Sequence, residues 1–164
     1  MLQACKRSML QLQPVHFHGQ ETHVLETHIL IVDDEQHVLQ SLSRALHAEP
    51  YILHLASGAE QGLDLLKQQP CKVVLSDQQM PGRQGLEFIR EVKEIQPKAV
   101  CILLTGKGSL ELYEEAFFET DVFNLLLKPW DTRQLKAAVR SAVLQFGQQS
   151  EQKATDWRHL RFLK

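Results

Sequence analysis

Residues 72–82 read Lys-Val-Val-Leu-Ser-Asp-Gln-Gln-Met-Pro-Gly. The first five, KVVLS, form a short and almost wholly apolar run, closed by the turn-forming Met80-Pro81-Gly82. A run of that length fits a strand covered on both faces rather than a helix. It ends on a carboxylate, Asp77. Outward from it the same pattern recurs. HILIV (28–32) ends at Asp33-Asp34, AVCILL (99–104) at Thr105-Gly106, and Val122–Leu127 at Lys128-Pro129. Tyr51–Leu55 is a fifth such run, ending without an obvious reactive group.

Between these runs the apolar period changes from two to 3.6. Gln36–Ala48 carries Val38, Leu39, Leu42, Ala45 and Leu46 on one face. The segment after Ser57-Gly58 carries Ala59, Gly62, Leu63, Leu65 and Leu66. Leu86, Phe88, Ile89, Val92 and Ile95 mark a helix that stops before Pro97. Leu110–Glu119 reads as one helix with Leu112, Ala116 and Phe117 inward. Leu135–Phe146 is the last clear helix, with Asp131 or Thr132 as its N-cap. Five strands alternating with five helices predict parallel neighbours, right-handed crossovers and a three-layer α/β sandwich. The expected domain spans 28–147. A flexible leader is expected over 1–27 and a helical extension or linker over 148–164. Gln149, Lys153 and Asp156 fall at core positions of the heptad frame started at Leu135, which argues against a long coiled coil.

The 164 residues suit one domain. A composition of 43% hydrophobic and 23% charged residues, with net charge -2, gives no global attraction to nucleic acid or anionic membrane. Three scattered cysteines, Cys5, Cys71 and Cys101, fit neither a disulfide framework nor a zinc site, and a reducing, cytoplasmic setting is expected. His16, His18, His23 and His28 are too loosely spaced to read as more than a solvated tail. The basic, aromatic end around Trp157 reads as a solvated amphipathic helix, and direct nucleic-acid binding is not expected.

In open parallel sheets, function gathers at the carboxyl ends of the strands. Asp33, Asp34 and Asp77 would converge there with Thr105 and Lys128. Each alone reads as a cap, a turn residue or a surface lysine; the set on one rim does not. Three clustered carboxylates repel unless a cation joins them. Oxygen ligands and an open, hydrated octahedron suit Mg²⁺. An Asp nucleophile flanked by a metal, a lysine and a hydroxyl is a phosphoryl-transfer arrangement.

The matching pieces ILIVDDE (29–35), VVLSDQQMPGRQGLEFI (73–89), ILLTGKG (102–108) and LLLKPW (125–130) resemble the receiver domain of bacterial response regulators. That resemblance implies a flavodoxin-like (βα)5 fold with strand order 2-1-3-4-5. It implies Asp77 as phosphoacceptor and Asp34 as direct Mg²⁺ ligand, with Asp33 acting mainly through water. Gln79 would offer its backbone carbonyl to the metal. Thr105 would be the switch hydroxyl, and Lys128 would pair with the phosphoryl group ahead of Pro129, typically across a cis bond. It further implies a signalling domain rather than an enzyme, one that assists its own phosphorylation and dephosphorylation. The implied partners are a sensor histidine kinase or phosphotransfer protein, an output protein or domain, and a second copy through the face of helix 4, strand 5 and helix 5. No membrane partner is implied. One departure stands out: Leu125 occupies a position where many receivers have Tyr or Phe. The alternative reading is a receiver-like interaction module that works without phosphorylation. A flavodoxin-like nucleotide binder would want a phosphate loop where Asp33-Asp34-Glu35 stands. A haloacid-dehalogenase-type phosphatase would want a DxD nucleophile motif after the first strand.

Overall fold

The computed structural model describes residues 26–106, 108 and 110–159. Its strands are β1 (Thr27–Val32), β2 (Tyr51–Ala56), β3 (Val73–Asp77), β4 (Val100–Thr105) and β5 (Asn124–Leu127). Its helices are α1 (Gln36–Leu46), α2 (Ala59–Gln68), α3 (Gly85–Ile95), α4 (Leu110–Glu114) and α5 (Thr132–His159). All strand pairs are parallel, in the order β2-β1-β3-β4-β5. The expected α/β architecture and strand order are therefore present.

The near-continuous apolar strands are explained by two cores, one on each face of the sheet. Leu30, Val32, Val74, Cys101 and Leu103 pack with α2 and α3 residues such as Leu63, Leu66, Phe88 and Ile89. The alternate residues Ile29, Ile31, Val73, Leu75, Ile102 and Leu104 pack with Leu39 and Leu42 of α1 and Leu135 and Val139 of α5. Period-two alternation thus sends every other side chain to a different core. Each fully buried aliphatic side chain contributes about 1.5–3 kcal/mol relative to exposure.

Several element bounds depart from the sequence reading. Asp77 is the last residue of β3 rather than the first after it. β5 begins at Asn124, not Val122, because the exit from the preceding helix consumes the residues between. Asp121 takes a left-handed φ of 54°, and Val122 donates its N–H to the Ala116 carbonyl. The single helix expected over 110–119 is α4 followed by a π-helical turn over Glu115–Glu119, closed by Thr120 N–H to the Glu115 carbonyl. A π turn is wider than 3.6 residues, so the apolar stripe drifts. Ala116 stays buried while Phe117 turns outward. Asp131 is the N-cap of α5, its Oδ1 accepting from the Arg133 N–H at 2.7 Å.

α5 runs on as one helix to His159, so the sequence bound at 147 falls inside a continuous element. Thr27, assigned to the leader, opens β1. The rest of the expected leader, with Cys5, His16, His18 and His23, lies outside the described residues apart from Glu26. So do residues 160–164 of the tail. Cys71 and Cys101 are buried free thiols, and burial pushes them up to about 11 and about 12 respectively. They are small core residues rather than reactive ones. No described helix is long and apolar enough to cross a membrane.

Candidate acidic site at the carboxyl rim

Each rim residue is set by a main-chain bond to the neighbouring strand. Asp33 N–H donates to the Ala56 carbonyl of β2 at 3.1 Å, one step beyond the β1 ladder. Gln78 N–H donates to the Leu104 carbonyl at 2.8 Å, continuing β3 along β4. Lys128 N–H donates to the Thr105 carbonyl at 2.7 Å, seating the lysine directly beside the end of β4. Sheet register alone therefore brings Asp33, Asp77, Thr105 and Lys128 together from residues far apart in the chain.

The Lys128 ammonium bridges two carboxylates. Its Nζ lies 2.7 Å from Asp77 Oδ1 and 2.9 Å from Asp33 Oδ2. The remaining carboxylate oxygens are engaged by backbone. Asp33 Oδ1 accepts from Glu35 N–H at 2.9 Å, and Asp77 Oδ2 from Gln79 N–H at 3.0 Å. Asp33, Asp77 and Thr105 are buried, whereas Asp34 is exposed at the mouth. One oxygen from each of Asp33, Asp34 and Asp77 lies within 4.8 Å of the others, a spacing that suits shared coordination of one cation. All the donors are oxygens, which fits a hard divalent ion such as Mg²⁺.

The electrostatics follow from this crowding. Burial pushes the Asp77 carboxyl above its usual range, and the Asp33 charge adds to that. Lys128 and the Gln79 N–H act against it without cancelling it. Burial would lower Lys128, but its contacts with Asp77 and Asp33 outweigh burial and leave the amine above its usual range. The lysine is thus firmly cationic beside a carboxylate held in a costly charged form. A cleft of about 510 Å³ opens beside this centre, lined by Asp34, Gln79, Met80, Pro81, Thr105 and Leu112 among others. The Lys128–Pro129 peptide bond is cis.

Two supporting residues carry no strong sequence signal. Gln78 is buried; its side-chain carbonyl accepts from Leu86 N–H at 3.1 Å and its amide donates to Gln84 at 3.1 Å. Gln84 and Glu87 form a reciprocal capping box at the start of α3. Gly85 N–H donates to the Gln78 carbonyl at 3.0 Å, and a Cβ there would run into the Asp77 carbonyl. Gln78 and Gly85 therefore lock α3 against the strand end that bears Asp77. The only hint of this is the glycine spacing after Met80-Pro81-Gly82.

Leu125 packs against the core shared with α2 and α3, while Phe123, just before β5, is exposed.

A sequence model of the response regulator receiver domain matches residues 29–140. Among curated proteins, the chain is 37% identical over 128 residues to the hydrogenase transcriptional regulatory protein HoxA of Cupriavidus necator. That alignment covers 78% of this chain and 26% of HoxA. It is 30% identical over 112 residues to the sporulation initiation phosphotransferase F of Bacillus subtilis, covering 68% of this chain and 90% of that protein. The chain thus spans about a quarter of the first of these relatives and most of the second. Among solved structures, it resembles the signal receiver domain of an HD domain-containing protein from Pseudomonas fluorescens, with TM-score 0.72 and 33% identity. That match covers 75% of this chain and 98% of the other.

Proposed function

This chain belongs to the response regulator receiver domain family of two-component signalling, and from that premise we propose that Asp77 accepts a phosphoryl group from a sensor histidine kinase or phosphotransfer protein in a Mg²⁺-dependent reaction. The observation that carries this reading is the Lys128 ammonium held between Asp77 and Asp33, at 2.7 and 2.9 Å, with Asp34 open to the cleft beside it.

A carboxylate oxygen of Asp77 attacks phosphorus; the O–P bond forms as the N–P bond of a donor phosphohistidine breaks, and the donor imidazole leaves. Lys128 holds the acceptor ionised and neutralises charge on the transferring oxygens. Mg²⁺, held by Asp33, Asp34, Asp77 and the Gln79 carbonyl, supplies further charge neutralisation when bound. Asp34, exposed at the mouth, would be its direct carboxylate ligand. Asp33, engaged by Lys128 and the Glu35 N–H, would act mainly through water. Thr105, buried at the end of β4, is the hydroxyl that follows the new charge.

Phosphorylation at Asp77 then shifts α4, the π turn and β5 between two packings. Tyr113, Phe117, Phe118, Phe123 and Leu127 are exposed on this side of the molecule, which supports an output or dimer face there. With a half-buried leucine at position 125, the switch runs through Thr105 and the loop after it rather than through an aromatic there. The domain begins with β1 at Thr27, and the part of α5 beyond residue 147 extends toward an output protein or domain. A cytoplasmic setting follows from the partners.

The test is intact mass after incubation with acetyl phosphate and Mg²⁺. One added phosphoryl group is expected on wild type, none on Asp77→Asn, and none with EDTA. A persistent adduct on Asp77→Asn, or no adduct on wild type with any donor, would overturn the assignment in favour of a phosphorylation-independent module.

A further inference from the structure

Away from the acidic centre, toward the amino end of β1, two imidazoles meet across the sheet. Strand register pairs His28 with Ile52 and Leu30 with His54, so the two histidines lie two residues apart on neighbouring strands, on the same face. His28 Nδ1 is 2.9 Å from His54 Nε2. The ring centroids are 5.2 Å apart and the planes tilt by 24°. The centroid separation exceeds the nitrogen separation by about two ring radii, so the rings meet edge to edge, nitrogen facing nitrogen. On its far side, His28 Nε2 lies 3.7 Å from Glu26 Oε2.

A neutral imidazole has one N–H and one lone pair. Of the two tautomer arrangements that fit this contact, the one with His28 Nε2–H facing Glu26 has His54 Nε2 supplying the proton between the rings. At 3.7 Å Glu26 is beyond hydrogen-bond reach and sits beside His28 as a nearby negative charge, which favours a cation there. Nitrogens about 2.0–2.1 Å from an ion and at right angles around it stand about 2.9 Å apart. That matches the edge of a square-planar or octahedral ion better than the longer edge of a tetrahedron. Burial and the neighbouring His28 hold the His54 imidazole below its usual range, so a second proton does not compete at neutral pH.

We propose that His28 and His54, with Glu26 nearby, form a two-nitrogen chelate for a late first-row transition ion, Cu²⁺ or Ni²⁺, that clips β1 to β2. As the ion binds, the His54 proton moves from Nε2 to Nδ1, so both imidazoles stay neutral and no net proton is released. The ring nitrogens point at each other, so each ring turns by about 45° to aim at the ion, and water fills the other positions. The nitrogen donor set keeps this site distinct from the all-oxygen centre at the other rim.

The test uses the full 164-residue chain with CuCl₂ or NiCl₂ in excess Mg²⁺, the latter to occupy the acidic centre. Electron paramagnetic resonance of one equivalent of Cu²⁺ should show coupling to two imidazole nitrogens, and calorimetry in buffers of different ionisation enthalpy should show no net proton release. His28→Gln and His54→Gln should each weaken binding about tenfold or more, with unchanged circular dichroism. The triple variant His16→Asn, His18→Asn, His23→Asn should leave it intact. If either glutamine variant fails to fold, Ni²⁺ added to wild type should selectively broaden the His28 and His54 ring resonances. Binding that is lost in the triple variant but survives His54→Gln would overturn the proposal. So would oxygen-only coordination, or broadening confined to other histidines.

Discussion

The carboxyl ends of β1 and β3 and the segment from α4 to β5 lie side by side but are built on opposite terms. In the first, Asp33, Asp77 and Gln78 are buried and hydrogen-bonded or ion-paired, and α3 is pinned behind them through Gln78 and Gly85. In the second, a short α-helix gives way to a π turn, Phe118 is 86% exposed, and the buried Thr120 hydroxyl has no partner. Buried polar groups that are all paired make a rigid setting. Wide helical turns, outward aromatics and an unpaired hydroxyl make a poorly determined one. On the proposed function the difference is a division of labour: reactive groups need fixed geometry, whereas a readout element needs a second packing within reach.

The largest stability effect should come from breaking the rigid side. Phe88 of α3 is wholly buried and would touch any side chain added at Gly62 of α2. Phe88→Ala should cost about 4 kcal/mol, whereas Phe118→Ser should stay within about 0.5 kcal/mol of wild type; urea midpoints compare the two directly. Equal losses would erase the contrast. Next, Gly85→Ala forces a methyl group onto the Asp77 carbonyl and, at 2.9 Å, onto Gln78 Cα. It should cost about 3 kcal/mol and slow phosphorylation by acetyl phosphate, because the backbone bearing the acceptor must shift.

On the soft side the sign reverses. Thr120→Val replaces a buried, unpaired hydroxyl with a methyl of similar shape. It should stabilise the domain by about 1 kcal/mol, read as a higher urea midpoint; a loss would mean that the hydroxyl has a partner after all.

The smallest effect lies outside both regions. Glu49 accepts from Arg140 at 2.9 Å and pairs with Lys136 at 3.2 Å, tying α5 to the loop before β2. Hydrogen bonds from Arg140, then from Lys136, hold its carboxyl below the usual range despite opposing desolvation. A lowered folded-state pKa means that this stabilisation is present above the ordinary carboxylate pKa and is lost as pH falls through the lowered value. Glu49→Gln should therefore depress the melting temperature slightly at pH 7 and merge with wild type in acid; thermal melts across that range check it.

The sequence by itself determined the alternation of strands and helices, and with it the α/β class. The reason is local: a strand buried on both faces must be apolar throughout, and a helix covering it must be apolar at 3.6-residue spacing. Asp33, Asp34, Asp77, Thr105 and Lys128 were legible for a related reason, since each ends a recognisable strand. What only the tertiary structure decided depends on partners distant in the chain. Sheet register sets Lys128 between Asp33 and Asp77. Gln78 acquires its role from Gln84 and Leu86, and His28 meets His54 only because β2 lies beside β1. The π turn also escaped prediction. It follows from how Ala116, Thr120 and Val122 close the helix against the core, and a regular 3.6-residue period in the sequence carries no trace of that closure.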